Sequence, residues 1–76
     1  MFLNSDANII NLIQKVKLCK GDVHLITEEG DNLNLKSQLC QFAAVALVAK
    51  PEILIRAKIV CDDKSDEDLL KEYIHE

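Results

Sequence analysis

Residues 34–50 read NLKSQLCQFAAVALVAK and contain the longest apolar run of the chain. Ser37 stands where a helix should begin, because a serine side chain accepts the free N–H groups of a first helical turn. Apolar residues then recur at helical spacing: Leu39, Phe42, Ala43, Ala46 and Leu47. Their neighbours make the last two turns apolar nearly all round. We therefore expect a helix that ends at Lys50–Pro51 and is covered by a sheet or by another chain.

The composition favours a single small domain over residues 1–76. Hydrophobic residues make up 49% of the chain, so a core can form without disulfides. Because only Phe2, Phe42 and Tyr73 are aromatic, that core should consist of Ile, Leu, Val and Ala. The net charge is -4 and the basic residues are scattered, which argues against a nucleic-acid partner.

The three cysteines point to a reducing compartment. Cys19, Cys40 and Cys61 are odd in number and far apart, which is typical neither of a disulfide framework nor of a CxxC metal site. We expect them to act as small buried hydrophobes. The N-terminus has no signal-peptide pattern, and residues 42–49 are too few to cross a bilayer. The prediction is a cytoplasmic protein without a membrane partner.

The N-terminal half predicts a strand stub, a helix and a hairpin. After the stub at Met1–Asn4, Ser5 or Asp6 offers a helix cap, and Gly21 offers a left-handed stop. The helix should bury one stripe: Ile9, Leu12, Ile13 and Val16. Alternation from Val23 to Glu28 predicts a strand. A turn at Glu29–Asp31 should connect it to a short return strand, which completes the hairpin.

The C-terminal half predicts one long strand and a third helix. Ile53–Cys61 alternates over nine residues, the cleanest strand pattern in the chain. Ser65 with Asp68 resembles a capping box, and a stripe follows: Leu69, Leu70, Tyr73 and Ile74. One-sided helices and strands together predict an α+β fold, with a small antiparallel sheet covered on one face by three helices.

Leu33–Ser37 carries a family resemblance. The sequence Leu-Asn-Leu-Lys-Ser resembles the Val-Asn-Leu/Ala-Lys-Ser motif of HPr, the phosphocarrier of the bacterial sugar phosphotransferase system. The spacing from Val23 to Ser37 matches that family without a gap, and the element order matches over nearly the whole chain. The resemblance implies an open-faced β-sandwich with a four-stranded antiparallel sheet, here with a truncated first strand.

The family's active centre is missing from this chain. HPr proteins carry phosphate on a histidine in a Gly-Ile/Leu-His-Ala-Arg-Pro motif before the first helix. That histidine aligns with Asp6 and the arginine with Asn8, so the nucleophile and its neutralising cation are both absent. Val45 replaces a glycine that lies beside the centre. The resemblance therefore implies the fold without histidine phosphotransfer, and we expect no enzymatic activity.

Two positions have both a functional and a structural interpretation. In the HPr family the serine aligned with Ser37 is phosphorylated by a dedicated kinase, and phosphate is favoured at a helix N-terminus. On physics alone, Ser37 is an ordinary helix cap. Asp6 has two functional interpretations: it accepts a phosphoryl group, or its permanent negative charge mimics one. The structural interpretation is an acidic residue that caps the helix or lies in its first turn.

The remaining polar residues indicate no catalytic or metal site. His24 falls mid-strand and His75 at the C-terminus, and neither has a base or an orienting partner in the sequence. Asp22 and Asp62–Asp63 read as solvated loop acids. With glycine only at Gly21 and Gly30, there is no phosphate-binding loop, and we predict no cofactor and no metal.

The short first strand suggests a homodimer. In an HPr-like sheet this strand pairs with the fourth, Ile53–Cys61, whose edge would remain largely open and recruit a second chain. Alternatively, Arg56 and Lys58 protect that edge and the domain is monomeric.

Three functions therefore stay open. The first is an HPr-like regulatory or adaptor domain, with phosphotransferase components, an HPr kinase or a transcription regulator as partners. The second is a phosphotransfer component that uses a residue such as Asp6. The third is a homodimerising interaction module without a phosphotransferase role.

Overall fold

The computed structural model describes all residues from 1 to 76. Its backbone contains five strands and four α-helices, in the order β1 (Phe2–Leu3), α1 (Ile9–Val16), β2 (Val23–Ile26), β3 (Asn32–Asn34), α2 (Gln38–Ala46), α3 (Pro51–Leu54), β4 (Lys58–Cys61), α4 (Glu67–Leu70) and β5 (Ile74–His75). Two 3₁₀-helical segments, Leu47–Ala49 and Lys64–Asp66, precede α3 and α4. The predicted α+β class and antiparallel sheet are confirmed, although there are four α-helices rather than three.

The sheet is antiparallel, in the order β3-β2-β4-β1-β5. Its longest pairing joins β2 to β4 and runs from Val23 opposite Cys61 to Ile26 opposite Lys58. The predicted hairpin is confirmed as β2 and β3, with Gly30 in the turn at a φ of +96°, where a side chain would be strained.

Burial alternates along the two central strands. In β2, Val23 and Leu25 are buried while His24 and Ile26 are only half-buried. In β4, Ile59 and Cys61 are buried while Lys58 and Val60 are exposed. The helix stripe predicted for α1 is also confirmed: Ile9, Leu12, Ile13 and Val16 are all buried. The core is therefore aliphatic, as predicted, and also includes Cys19 and Cys61.

The start of α1 differs from the prediction. Asn8 is its N-cap, and the Asn8 side chain accepts a hydrogen bond from the Asn11 N–H at 3.0 Å. Ser5 and Asp6 lie in the preceding turn, and neither caps the helix. Because Asn is as good a cap as Ser or Asp, the sequence offered several starts, and only the one that buries Ile9 fits the core.

Gly21 is needed for close packing and not for a left-handed stop. Its φ is not positive, and α1 ends earlier, with Lys17 as its C-cap. A Cβ at Gly21 would lie 3.0 Å from the backbone nitrogen of Asp63. At this contact the buried Asp66 carboxylate accepts the N–H groups of Lys20 and Gly21, each at 2.9 Å. This carboxylate thus joins the loop after α1 to the segment before α4.

The predicted strand over Ile53–Cys61 is wrong in its first half. Lys50 stops the preceding helical segment as expected, but Pro51 then opens α3, because proline suits the first helical position. Only Lys58–Cys61 is extended.

The predicted third helix, observed as α4, is also shorter than expected. Ser65 lies inside a 3₁₀ segment capped by Asp63, and Ile74 belongs to β5.

The homodimer predicted from an open edge of the fourth strand stays a prediction, and β1 covers part of that edge. β4 lies inside the sheet, between β2 and β1, and the Ile59 N–H donates to the carbonyl of Met1 at 2.7 Å. The other edge of β1 is covered by β5. His75 is therefore not at a frayed end: it pairs with Phe2, and its Nδ1 lies 2.7 Å from Asn4 Oδ1. The outermost strands of the sheet are β3 and β5.

We expect Asp66→Ala to lower the free energy of unfolding by about 2–4 kcal/mol, because two backbone N–H groups lose a charged acceptor. Urea denaturation monitored by circular dichroism measures the change. Asp68→Ala is the matched control, since Asp68 is exposed and should have little effect. A loss for Asp66→Ala no larger than that of the control would contradict the role assigned to this carboxylate.

Candidate functional site

The outer face of α2 is apolar and exposed. Leu39 is 80% and Phe42 65% exposed, and only Ala44 of this helix is buried. The face continues through Val45 and Val48, both exposed, and is flanked by the exposed Ile10 of α1. We call these five residues the α2 surface: Ile10, Leu39, Phe42, Val45 and Val48. Within the single chain this face is left uncovered, so of the two predicted covers, a sheet or another chain, the second stays a prediction for it.

A groove of about 790 Å³ adjoins the α2 surface. One wall is the segment before and at the start of α1, and the other runs from the end of α2 to α3. The lining is mostly apolar and has one carboxylate: Ser5, Asp6, Ala7, Asn8, Ile9, Ile10, Val45, Ala46, Val48, Ala49, Pro51 and Leu54. The groove and the α2 surface share Ile10, Val45 and Val48, so they form one continuous region.

This groove brings together the positions that align with the HPr active centre. Asp6, Asn8 and Val45 all line it, although the sequence separates Val45 widely from the other two. The Asn8 side chain is used as the cap of α1, whereas Asp6 is exposed in the turn before it. No lysine, arginine or histidine lines the groove. A phosphoryl group held there would consequently face no neutralising side chain.

Ser37 is the N-cap of α2 by backbone geometry, but its side chain makes no capping hydrogen bond. The turn before the helix is held instead by Asn34, whose Oδ1 accepts the Lys36 N–H at 3.0 Å. The Ser37 hydroxyl, on a half-buried residue, is therefore not used in the cap. It lies two residues before Leu39, at the start of the helix that carries the α2 surface.

Lys36 is anchored to α1 rather than directed at Ser37. Its Nζ donates to the carbonyl of Cys19 at 2.7 Å. This bond places a positive charge just beyond the C-terminus of α1, where the helix dipole favours it. In the Lys-Ser pair of the motif, Lys36 thus has a structural role, whereas the Ser37 hydroxyl makes no capping hydrogen bond.

The cysteines differ in reactivity. Burial raises the pKa of the Cys61 thiol to about 11, and burial also raises the pKa of Cys19. Both thiols therefore stay protonated and act as small apolar side chains, as predicted. Cys40, on α2, is only half-buried. All three are free thiols.

One further group of polar side chains comes together on the sheet. Asp22, His24 and Asp62 place one ligand atom each within 4.8 Å of the others. The distance from His24 Nε2 to an Asp62 carboxylate oxygen is 3.4 Å. In the sequence these aspartates resemble solvated loop acids, and nothing there indicates the group, because only the pairing of β2 with β4 brings its members together.

Comparison of this chain with known protein families, with characterised proteins and with solved structures finds no match. None of its helices combines the length and the apolar character needed to span a bilayer.

We expect one thiol of the native protein to react quickly with a thiol reagent at pH 8. A pKa of about 11 leaves roughly one thousandth of Cys61 as the reactive thiolate at that pH, and burial slows Cys19 in the same way. Absorbance with Ellman's reagent follows the reaction. Cys40→Ser should remove the fast phase, whereas a fast phase that survives this substitution would contradict the assignment. Unfolding in urea should make all three thiols reactive.

Proposed function

We propose that this chain is an HPr-like regulatory or adaptor domain, a non-enzymatic module that binds a protein partner through the α2 surface. The carrying observation is the exposure of Leu39 and Phe42, two large apolar side chains on one helix. Contiguous exposed apolar residues mark interaction sites in soluble proteins. The groove beside them gives the surface a concave part that a partner's side chain can enter.

The position of Ser37 supports regulation of this surface. Its hydroxyl makes no capping bond, and its helix presents Leu39 and Phe42 from the first turn onward. A phosphate at this N-terminus would be stabilised by the helix dipole and the free N–H groups. It would also add negative charge beside an apolar contact area, which changes partner affinity.

The strand pairing supports an HPr-like arrangement. In that family the first strand pairs with the fourth, and here β1 pairs antiparallel with β4. The alternating burial of β2 and β4 further supports a sheet that is covered on one face and open on the other. The additional strand β5 is a departure that extends the sheet beyond the truncated β1.

The lining of the groove favours an adaptor over phosphotransfer. A transferred phosphoryl group requires nearby cations or donors that stabilise its charge. Asp6 lies in a groove that no basic side chain lines, and the Asn8 carboxamide is used in the cap of α1. Phosphotransfer through Asp6 is therefore the weaker proposal.

Incubation with an HPr kinase and ATP should add one phosphoryl group to the protein, because Ser37 combines the family motif with a free hydroxyl. Intact-mass spectrometry measures the gain. Ser37→Ala should abolish it, while Ser65→Ala, at an exposed serine of another turn, should not. A gain that persists in Ser37→Ala, or no gain at all, would count against regulation at this site. A gain with enzyme I and phosphoenolpyruvate would support phosphotransfer instead.

A photo-reactive p-benzoylphenylalanine in place of Phe42 should cross-link to a discrete partner in extracts of the source cells. Adding Leu39→Ser should reduce the yield about tenfold or more, since burying one such side chain stabilises a complex by roughly 1.5–3 kcal/mol. Mass spectrometry of the cross-linked peptides identifies the partner.

Leu18→Ser is the matched control, because Leu18 is 68% exposed but lies outside the α2 surface. Both serine variants should keep the stability of the parent protein, because both leucines are exposed. Equal losses of cross-linking in the two variants, or no discrete partner, would argue against the α2 surface as the binding site. Cross-linking between two copies of this chain would show self-association.

A further inference from the structure

Asp22, His24 and Asp62 lie at one end of the β2–β4 pair. The Asp62 N–H donates to the Asp22 carbonyl at 2.9 Å, which places the two aspartates directly opposite each other, one residue beyond the strands. His24 follows Asp22 by two residues and therefore points to the same face. The neighbouring pair, Val23 and Cys61, points to the opposite face and is buried. The face with Asp22, His24 and Asp62 is therefore the open one.

The opposed aspartates are electrostatically unfavourable alone. Like charges directly across an antiparallel pair destabilise it. No lysine or arginine lies within ion-pair distance of either carboxylate, and the one side chain at that distance is His24, beside Asp62. A bound cation would turn this repulsion into an attraction, and the Asp62 side chain, 55% exposed, is accessible to one.

Asn32 orients the imidazole of His24. The ring Nδ1 lies 3.1 Å from Asn32 Oδ1 on the neighbouring strand β3. A carboxamide oxygen only accepts hydrogen bonds, so the Nδ1 N–H donates to Asn32, and Nε2 is the ring nitrogen that faces the aspartates. Histidine ligands of metals typically use this arrangement, in which the second nitrogen donates to an oxygen that fixes the ring.

The distances fit a small divalent ion. His24 Nε2 and the Asp62 oxygen are 3.4 Å apart, longer than the 2.7–3.2 Å of an N–H···O hydrogen bond. Ligands about 2.0–2.1 Å from a tetrahedral zinc ion are separated by roughly 3.4 Å. The Asp22 oxygen lies within 4.8 Å of both, and Asp22 is exposed.

We propose that Asp22, His24 and Asp62 form a binding site for a divalent transition-metal ion of the zinc class, with Asn32 holding the histidine. An imidazole among the ligands favours such ions over Mg²⁺ and Ca²⁺, which prefer oxygen ligands alone. Three protein ligands leave a coordination position for water or for a group from another molecule. The site lies on the open face of the sheet and is independent of the α2 surface and of Ser37.

Isothermal titration of the EDTA-treated, desalted protein with Zn²⁺ tests this proposal. It should be done in a Cys40→Ser background, so that the accessible thiol cannot act as a ligand. We expect one equivalent to bind and Mg²⁺ not to compete. In ¹H–¹⁵N spectra the shifts should centre on Asp22, His24 and Asp62.

Variants separate the site from adventitious binding. His24→Ala should abolish binding, Asp62→Asn should weaken it at least tenfold, and Asn32→Ala should weaken it by about 10–100-fold through loss of the orienting bond. His75→Ala is the matched control, because His75 also contacts an asparagine side chain, Asn4, but belongs to no such cluster.

The proposal is overturned if Zn²⁺ does not bind, or if binding survives His24→Ala or is lost in His75→Ala. Circular dichroism verifies that each variant is folded. Should His24→Ala be unfolded, His24→Gln provides the same test, because it keeps a polar side chain and removes the imidazole.

Discussion

The pairing of β2 with β4 is the constraint on which the rest of this structure depends. It is the longest strand pairing in the sheet, and it joins segments that are far apart in the sequence. Its register places Val23 and Leu25 beside Ile59 and Cys61, all buried. Because side chains alternate along a strand, a slip of β4 by one residue would turn Ile59 and Cys61 to the open face and Lys58 and Val60 to the core. The register of this pair therefore determines which side chains face the core, which face the open side, and which residues lie opposite each other where the strands end.

This sheet is too small to cover all the apolar residues of the chain. Its strands have two to four residues, and the stripe of α1 packs into the core. The second helix contacts α1 and β3 but buries only Ala44 of its own residues. Each large apolar side chain left in water forgoes roughly 1.5–3 kcal/mol of burial. The exposure of several such residues on one helix is the basis of the proposed partner-binding surface.

The sequence predicts those elements whose signal is local. The stripe of α1 and the β2–β3 hairpin follow from spacing and from Gly30, and both are present. Ile53–Cys61 alternates just as well, yet its first residues are helical because Pro51 opens a turn there. The stripe ending at Ile74 also fits a helix, but the edge of β1 takes this residue into β5. In the first case the proline decided locally between two acceptable structures, and in the second a tertiary contact did so.

The candidate sites divide in the same way. Ser37 is visible in the sequence because a motif and a helix start coincide there. The Asp22–His24–Asp62 cluster is not, because it exists only in one register of β2 against β4. Since this register also fixes the core, the strands cannot slip to relieve the opposed aspartates. The two carboxylates therefore stay opposed on the open face of the sheet, where the proposed cation would balance their charge.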